Sequence, residues 1–367
     1  MATRAPIRVL LIGTGFGAQV HAPGFARHPA FALAGVASGS IENARRVAAE
    51  FSIPHATDDW KRMLEEVEAD LVSITTPVDQ HYAMARAALE RGRHVLCEKP
   101  FAMNAAEAHE LAALAKAKGV VNVVNHEFRH YPARETLTRK IREGALGRVE
   151  HVTIRDRIPG WARNPQRRLT WLVEKKRGGG YLGALGSHHI DQLILWGGPI
   201  ARVFSSQRSL AAEYAETTPA FAAITADDTF TLLVRFASGA RGVVDLFGGA
   251  HARGQSMEVF GSADSMAVLD GYRLGRPKED GSHEAIPIPE DLAIQPTPEV
   301  PLLAPFLVKV EMLRAAIQEG NPASPDFEDG AEVQRVLDAA RLSDQSGGWE
   351  SLSTPASRAA QASAGCR

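Results

Sequence analysis

The segment from Ile7 to Ala18 constrains the fold more than any other part of the sequence. An apolar run at 7–12 leads directly into Gly-Thr-Gly-Phe-Gly-Ala at 13–18, and a helical pattern follows. This is the pattern G-x-G-x-x-A in the setting that gives it meaning, after a strand and before a helix. The first glycine permits a tight turn, the second lets the backbone approach a pyrophosphate, and the alanine allows close helix packing. The sequence therefore predicts a dinucleotide-binding unit at the start of the chain.

Strands and helices alternate through the first third of the chain. The predicted strands cover residues 7–12, 31–37, 70–75, 95–97 and 120–124, and the clearest helices cover 80–91 and 104–118. Strands separated by helices in this way are typical of βαβ units in a parallel sheet. We therefore predict an NAD(P)-binding Rossmann domain over residues 1–126.

The strand at 95–97 ends abruptly at Glu98, Lys99 and Pro100. Ligands of open parallel sheets bind in the crevice beyond the carboxyl ends of the strands, so we expect Glu98 and Lys99 to reach that crevice. Lys99 is the first candidate for chemistry, and Pro100 restricts its backbone and permits a cis peptide bond. The alternative is a surface turn that carries an ion pair.

The second strand ends at Ser38-Gly39-Ser40, where a dinucleotide site distinguishes NAD from NADP. An NAD-selective site usually places Asp or Glu about 20 residues after the glycines to bind the ribose 2′-hydroxyl, and this stretch holds no acid. Ser38 and Ser40 suit a 2′-phosphate, and Arg45 or Arg46 on the next helix would supply charge. The sequence therefore favours NADP, with NAD as the alternative. A solvated helix face would equally explain each arginine.

Thr76 and Pro77 end another strand at the same sheet edge, and His81 lies one turn into the next helix. We expect His81 either near the nicotinamide or in a capping or packing role. The predicted cofactor-binding residues are Gly13, Gly15, Phe16, Gly17, Ser38, Thr76, Pro77, His81, Glu98 and Lys99.

From Ile200 onward the hydrophobic pattern changes to a period of two, which is typical of strands with one buried face. Apolar residues at 230, 232, 234 and 236 precede a turn at 238–239 and a second run at 240–247, as in a hairpin. Residues 271–301 are rich in proline, glycine and charge and are predicted to be irregular. Helices are predicted at 305–319 and 327–343, and a small polar tail at 353–367 is predicted to be disordered.

Three glycines at 178–180 lead into a helix that carries His188, His189 and Asp191. His188 and Asp191 share its polar face, so His188 can serve as an acid or base and Asp191 can orient it. Neighbouring histidines point about 100° apart, and no further ligand cluster accompanies them, so no metal site is predicted.

Two other residues are candidates for substrate binding. Trp161 lies in the cation-rich segment 159–177, where an aromatic ring could stack on a sugar, although ordinary packing is the alternative. Arg129 lies in the segment 125–132 that joins the two halves. Its position between the two halves would also be explained by an interdomain ion pair.

Composition limits the class of protein. The 367 residues favour two domains, and 41 basic against 43 acidic residues leave a net charge of -2. Nothing suggests a nucleic-acid or membrane surface, so small molecules are the expected partners. Two cysteines, Cys97 and Cys366, make no disulfide framework, and no signal or membrane-length apolar run is present, which together favour a cytoplasmic location. Cys97 as a nucleophile is a remote alternative.

These motifs resemble the glucose-fructose oxidoreductase and inositol dehydrogenase (Gfo/Idh/MocA) family. The glycine fingerprint, Thr-Pro at 76–77 with His81, Glu-Lys-Pro at 98–100 and Gly-Ser-His-His-Ile-Asp at 186–191 occur in the family's order and spacing. The resemblance implies an α/β Rossmann domain followed by an α+β domain with an open, mostly antiparallel sheet, here 127–352, for substrate and oligomerisation. The family's catalytic lysine and histidine would be Lys99 and His188.

One departure concerns the family motif D-x-G-x-H-x-x-D, whose first Asp is replaced by Ala184. Either another residue substitutes, or the proton path differs, or activity was lost. The resemblance also implies a homodimer or homotetramer, because the open sheet face commonly packs between subunits in the family.

We therefore predict an NAD(P)-dependent oxidoreductase that acts on a hydroxyl or ketone of a sugar, polyol or related small polar compound. Lys99 and His188 would transfer the proton, and the predicted substrate-binding residues are Arg129, Trp161, His189 and Asp191. The alternatives are a cofactor-binding regulator without turnover and redox-assisted bond cleavage.

Overall fold

The computed structural model describes residues 5–295 and 297–352, so the predicted disordered tail lies outside the described residues. The chain forms two compact units. The first unit comprises the described residues up to His130 together with Ile294–Glu332, and the second comprises Tyr131–Ala293 together with the described residues from Val333 onward. The prediction placed all of 127–352 in one domain, whereas 294–332 packs with the first unit.

The described residues form fifteen strands and nine α-helices. In chain order the strands are β1 (Ile7–Ile12), β2 (Phe31–Ala37), β3 (His55–Thr57), β4 (Leu71–Ile74), β5 (His94–Cys97), β6 (Asn122–Val124), β7 (Val149–Pro159), β8 (Ile200–Arg208), β9 (Thr229–Phe236), β10 (Arg241–Phe247), β11 (Gly249–Gly261), β12 (Ser265–Leu269), β13 (Arg273–Pro277), β14 (His283–Ile286) and β15 (Glu350–Ser351). The helices are α1 (Ala22–Ala26), α2 (Ile41–Phe51), α3 (Trp60–Glu66), α4 (His81–Glu90), α5 (Ala105–Lys118), α6 (Pro132–Arg142), α7 (Ser187–Gly197), α8 (Leu303–Glu319) and α9 (Phe327–Ser346). Of the helices in this part of the chain, none is both long and apolar enough to cross a membrane.

The first unit is built on a six-stranded parallel sheet in the order β3-β2-β1-β4-β5-β6. The chain starts at β1 in the centre, winds out to β3, and then returns to build the other half from β4 to β6. This is the doubly wound arrangement in which ligands bind at the carboxyl ends of the strands. The predicted Rossmann fold is confirmed.

Helix α8 belongs to the core of this first unit. Its apolar residues recur every three or four positions and form one buried face, made by Leu303, Phe306, Val310 and Leu313. They pack in one cluster with residues of the sheet, which include Val9, Leu71, Leu96 and Val123. The sequence predicted a helix at 305–319, but it does not reveal which sheet the helix covers.

The second unit is built on a nine-stranded sheet in the order β14-β13-β12-β11-β7-β10-β9-β8-β15. Only β7 and β10 pair in parallel among its described strands, and the other pairs are antiparallel. The predicted alternation is confirmed, because Phe230, Leu232, Val234 and Phe236 are all buried on one face. That face shares a hydrophobic core with apolar residues of α6, α7 and α9.

The prediction of an irregular segment at 271–301 is wrong in part, because β13 and β14 lie within it. These two strands extend the sheet to its edge by antiparallel pairing with β12 and with each other. Three of the four residues of β14 are exposed, so the strand has no apolar face for a pattern to reveal. Charged residues on an edge strand also discourage pairing with other chains.

The packing of α1 against α8 leads to a stability prediction. A Cβ added at Gly24 would lie 2.5 Å from two ring carbons of the buried Phe306. Gly24→Ala is therefore expected to lower the free energy of unfolding by about 1–3 kcal/mol through overpacking. Chemical denaturation measures this change.

Gly39→Ala is the matched control, because a Cβ added there meets nothing within 4 Å. It should unfold close to the wild-type denaturant concentration. Equal midpoints for both variants would contradict the close packing of α1 on α8.

Candidate active site

Five residues form a row along the carboxyl edge of the first sheet: Gly13, Ser38, Thr75, Glu98 and Asn125. Each follows directly on the last residue of its strand. The backbone N–H groups of all five donate to the last carbonyl of a neighbouring strand: Gly13 to Ala37 at 2.8 Å, Ser38 to Thr57 at 3.1 Å, Thr75 to Ile12 at 2.8 Å, Glu98 to Ile74 at 2.9 Å and Asn125 to Cys97 at 2.7 Å. The parallel register thus brings the first residue after each of these strands, Glu98 among them, to one edge.

The glycine turn after β1 fits a dinucleotide. Gly13 has φ +109°, and a Cβ there would lie 2.7 Å from the carbonyl oxygen of Thr75. Gly17 is equally close to Thr75, so the turn lies flat against β4. At exposed Gly15, by contrast, a Cβ would meet nothing within 4 Å, which leaves space for a pyrophosphate. A separate cleft of about 720 Å³ beside Gly15 and Phe16 is lined by residues of α1, α2 and the segment 299–303, and by none of the five residues of the row.

The loop after β2 holds the serines and arginines on which the NADP expectation rests. The hydroxyls of Ser38 and Thr14 lie 2.7 Å apart and share a hydrogen bond. Ser40 caps the N-terminus of α2, where its side chain accepts a hydrogen bond from the backbone N–H of Asn43. Arg46 pairs with Glu50 at 3.4 Å, and Arg45 is exposed.

A buried hydrogen-bond network holds the carboxylate of Glu98. Glu98 Oε1 lies 2.9 Å from His21 Nε2 and accepts from Asn125 Nδ2 at 2.5 Å. The other ring nitrogen of His21 lies 2.7 Å from Ser73 Oγ, and the ring stacks on Phe306 with centroids 4.3 Å apart. Burial raises the pKa of Glu98, but the hydrogen bond and charge of His21, the charge of Lys99 and the hydrogen bond from Asn125 outweigh it and leave that pKa below its usual value.

His21 was missed by the sequence reasoning. The only signal for it is a histidine among small and apolar residues in the segment that follows the glycine turn. Its side chain is fully buried and reaches the row at the sheet edge through a π-helical turn at Gly17–His21.

Lys99 follows Glu98 and is half-buried, and the Lys99–Pro100 peptide bond is cis. Its backbone N–H lies 3.3 Å from Glu98 Oε2.

Two further ionisable side chains, those of Glu127 and Lys309, belong to this part of the first unit. Burial, together with the charge of Glu98, raises the pKa of Glu127 to about 8, and the buried Lys309 ammonium donates to the carbonyl of Val124 at 3.3 Å. A Glu127 carboxyl with this pKa is mostly protonated at neutral pH.

His81 is fully buried at the start of α4. Its Nδ1 lies 3.0 Å from the carbonyl oxygen of Pro100, and its Nε2 lies 2.9 Å from that of Thr76. Burial lowers the pKa of His81, so the neutral ring donates one of these bonds. It links the loops after β4 and β5, which is the packing role given above as the alternative.

Arg129 is buried in the short helical turn after β6. Its guanidinium donates to Ser324 Oγ at 2.9 Å and lies 3.6 Å from Asp329 at the start of α9. These contacts lie within the first unit.

The second unit carries His188 and Asp191, both buried, on helix α7. The next residue, His189, points to strand β7, where its Nε2 lies 3.2 Å from Asp156 Oδ2. Gln255 donates to the same carboxylate oxygen at 3.0 Å, and Arg134 donates to Gln255 at 2.8 Å. Burial raises the pKa of Asp156, but the hydrogen bonds and charges around it leave that pKa low. His189 is thus held inside the unit, and sequence reasoning did not find Asp156.

Ala184 lies in a π-helical turn, Leu182–Gly186, that precedes α7. A partly buried carboxylate adjoins this turn from another segment, because the Leu182 backbone N–H donates to Asp227 Oδ2 at 2.6 Å. Burial raises the pKa of Asp227 to about 6.

Trp161 is 1% exposed and packs on Tyr181 with ring centroids 5.2 Å apart. The Arg167 guanidinium lies 4.7 Å from the centroid of its ring. These neighbours agree with the packing alternative for Trp161. In the described part of the chain, no three His, Cys, Asp or Glu residues are grouped so that they could hold a metal ion. Burial raises the pKa of the Cys97 thiol.

Comparison with known proteins agrees with this geometry. The family model described as "Oxidoreductase family, NAD-binding Rossmann fold" matches residues 7–126, and "Oxidoreductase family, C-terminal alpha/beta domain" matches residues 138–352. Levoglucosan dehydrogenase of Pseudarthrobacter phenanthrenivorans is 27% identical over 91% of this chain and 95% of that protein. D-apiose dehydrogenase of Paraburkholderia graminis is 26% identical over 92% of this chain and 87% of that protein.

Solved structures of oxidoreductases share the fold of this chain. A levoglucosan dehydrogenase in complex with NADH and levoglucosan superposes with a TM-score of 0.83 at 25% identity, over 95% of this chain and all of that one. An oxidoreductase domain protein from Kribbella flavida superposes with a TM-score of 0.83 at 28% identity over 96% of this chain. With a glycine turn that fits a dinucleotide and both family models matched, this chain belongs to the Gfo/Idh/MocA family of NAD-binding oxidoreductases.

Proposed function

We propose that this protein is a sugar or polyol dehydrogenase in which Lys99 and His188 move the proton that accompanies hydride transfer. The substrate would be a hydroxyl or ketone of a carbohydrate-like compound, as the levoglucosan and apiose dehydrogenases among its relatives suggest. The serines behind the expected NADP preference have other partners, as does Arg46, so NADP is not part of the proposal.

The observation that carries the proposal is the network that anchors Glu98 beside the glycine turn. A carboxylate buried at a sheet edge is costly unless it is fully paired. Here His21 and Asn125 bind one oxygen of Glu98 from the protein side. Lys99, the next residue, is then held at the edge where the fold binds its dinucleotide.

Each proposed residue has a defined task. When bound, the nicotinamide supplies or accepts the hydride. Lys99 donates a hydrogen bond to the substrate oxygen and polarises it, and Glu98 holds a negative charge beside it. His188 takes the proton from the hydroxyl during oxidation, or returns it during reduction. Asp191, on the same face of α7, orients the imidazole.

Ala184 stands where the family motif has a carboxylate four residues before its histidine, so His188 lacks that negative charge. Asp156 is a buried carboxylate that α7 itself holds, through His189. We include in the proposal that Asp156 supplies negative charge to this end of the helix in place of the missing side chain.

Assembly into a homodimer or homotetramer through the outer face of the second sheet is also part of the proposal, and the exposure of Leu233 on that face supports it.

The first test concerns Lys99. Lys99→Ala is expected to lower turnover by roughly 10²–10⁴-fold, because the polarisation of the substrate oxygen, on which proton transfer to His188 depends, is lost. Binding of the dinucleotide, measured by calorimetry, should change little. Turnover is followed by the absorbance of reduced nicotinamide across a panel of sugars that includes levoglucosan and D-apiose.

Lys116→Ala, an exposed lysine on α5, is the matched control and should retain wild-type rates. Wild-type rates in Lys99→Ala would remove Lys99 from the mechanism. Tight dinucleotide binding with no turnover on any substrate of the panel would support the regulator alternative.

The second test separates the two neighbouring histidines. His188→Ala is expected to lower turnover by roughly 10²–10⁴-fold and to remove one limb of the pH–rate profile. His189→Asn should instead lower the melting temperature, because it breaks a buried contact with Asp156, and should keep both limbs. An unchanged pH profile in His188→Ala would rule out the proposed proton transfer.

The third test addresses the anchor of Glu98. His21→Ala is expected to lower the free energy of unfolding by roughly 3 kcal/mol at neutral pH, because a buried carboxylate loses a partner. The folded-state pKa of Glu98 is below its unfolded value, so the stability it contributes is complete at neutral pH and is lost as the pH falls through the folded pKa. The difference between wild type and variant should therefore narrow in acid.

His28→Ala is the control, because His28 also pairs with a glutamate, Glu311, at 2.9 Å, but near the surface. A surface pair contributes about 0–1 kcal/mol, so this variant should unfold close to wild type. A loss of stability in His21→Ala that does not vary with pH would contradict the pairing with an ionised Glu98.

A further inference from the structure

We infer that Arg163, Arg167 and Arg253 form a subsite for an anionic group of the substrate, so that the enzyme acts on a sugar that carries a carboxylate or a phosphate. The inference rests on the proposed function, because it names the substrate class of that dehydrogenase. All the residues that carry it belong to the second unit.

The segment around Arg167 is cationic and lacks acids. From Gly160 to Val173 the chain has arginines at 163, 167 and 168 and no aspartate or glutamate. This stretch follows the end of β7 and precedes the glycines at 178–180 that lead to α7. Like charges in one short segment repel one another. Two of the three guanidinium groups are nevertheless fixed by specific contacts.

Neutral groups hold Arg167 in place. Its guanidinium lies 4.7 Å from the centroid of the Trp161 ring, and its Nη1 donates to the hydroxyl oxygen of Tyr181 at 3.0 Å. Both rings are buried, whereas Arg167 itself is exposed. A guanidinium that rests on an aromatic face keeps other N–H groups free to bind a carboxylate or phosphate. Arg167 is therefore oriented in advance, and its contacts leave its charge uncompensated.

Arg163 is fixed close to the same tyrosine. Its Nε donates to the carbonyl of Gly249 at 3.0 Å, and its Nη1 donates to the hydroxyl oxygen of Tyr214 at 3.3 Å. The preceding residue, Gly248, adjoins Tyr181, because a Cβ added at Gly248 would lie 3.3 Å from a carbon of the Tyr181 ring. The acceptors of Arg163 are again neutral, and its side chain is exposed.

Arg253, on β11, adds a third positive charge and connects the cluster to α7. Burial raises the pKa of both Tyr181 and Asp156, and the charge of Arg253 is among the effects that lower them. A charge that acts on both side chains lies near both. Asp156 Oδ2 in turn lies 3.2 Å from His189 on α7. The three arginines therefore adjoin the end of the second unit at which α7 begins.

The charges of the cluster have no counter-ion within the protein. None of the three arginines forms an ion pair with a carboxylate in the part of the chain that the structure describes. Asp228 accepts from the backbone N–H groups of Leu210 and Ala211, both at 2.8 Å, and Glu174 pairs with Lys176. An anion bound among the three guanidinium groups would relieve their mutual repulsion.

Hydrogen-bond donors also outnumber acceptors in this region. Arginine and tryptophan side chains offer donors only. The indole N–H of Trp161 is buried and has no acceptor among the described residues. Ionised carboxylates and phosphates are acceptor-only groups, which arginine binds through two parallel hydrogen bonds. A neutral sugar fits this donor set less well, because each of its hydroxyls also brings a proton to donate.

The test compares sugars that differ only in charge. Turnover of the purified protein with NAD⁺ is followed by the absorbance of reduced nicotinamide. D-glucose, D-glucuronate and D-glucose 6-phosphate form one set, and the galactose series forms another. Wild type is expected to use an anionic member with a kcat/KM at least roughly tenfold above that of its neutral parent. Preference for the uronates would identify a carboxylate as the anion, and preference for the sugar phosphates would identify a phosphate.

Variants of the cluster separate charge from packing. Arg167→Gln should lower kcat/KM for the preferred anionic sugar by roughly 10- to 100-fold, mainly through KM, because charge-assisted hydrogen bonds are lost. Its rates on neutral sugars should stay within about twofold of wild type. Arg167→Lys keeps the charge without the planar fork and should give an intermediate value. Arg163→Gln should act in the same direction, and rising ionic strength should narrow the wild-type preference.

Arg168→Gln is the matched control, because Arg168 is the neighbouring exposed arginine and makes no hydrogen bond or ion pair with the described residues. It should keep the wild-type preference. Equal use of neutral and anionic sugars by wild type would overturn the inference, as would equal responses of Arg167→Gln and Arg168→Gln.

Turnover of no sugar at all would instead count against the proposed function. The inference is then decided by the melting temperature measured with NAD⁺ and each sugar of the two sets. Anionic sugars should raise the melting temperature of wild type but not that of Arg167→Gln, because a ligand stabilises only the state that binds it. Equal melting temperatures with anionic and neutral sugars would overturn the inference.

Discussion

The arrangement of the first unit depends on one buried carboxylate. Glu98 follows a strand whose residues are almost fully dehydrated, and it would be expensive to ionise there without partners. His21 comes from the segment after the glycine turn and Asn125 from the end of β6, so three separate pieces of chain meet on one charge. The chemistry proposed for Lys99 and the geometry of the dinucleotide turn are therefore stabilised by the same set of hydrogen bonds.

Much of this unit could be predicted from sequence because its signals are local. A glycine turn after an apolar strand has few structural solutions, and parallel pairing then brings every strand end to one edge. His21 could not be found in this way, because its partners Ser73 and Glu98 are distant in sequence and only the register makes them neighbours. Asp156 and its contact with His189 escaped prediction for the same reason.

Other features could not be predicted because their stabilisation comes from distant chain. Strand β14 has no apolar face, so its pairing with β13 is invisible in a hydrophobic pattern. Helix α8 could be predicted as a helix, but the choice of sheet depends on shape, as in the fit of Phe306 between His21 and Gly24. Ser38 and Ser40 suggested a phosphate site by residue type alone, which does not reveal that Ser38 shares a hydrogen bond with Thr14 and that Ser40 caps α2.

Neither unit is a continuous stretch of chain, which affects how the protein can be made. Residues 5–130 build the first sheet, yet α8, which covers one side of it, is added only after residue 302 has been translated. The core of the second unit is likewise incomplete until the residues from Val333 onward, including edge strand β15, have been translated. A nascent chain on the ribosome therefore exposes two incomplete cores at once until its last segments emerge. Domains that fold one after the other during synthesis avoid this exposure. This chain completes both of its units late and almost together.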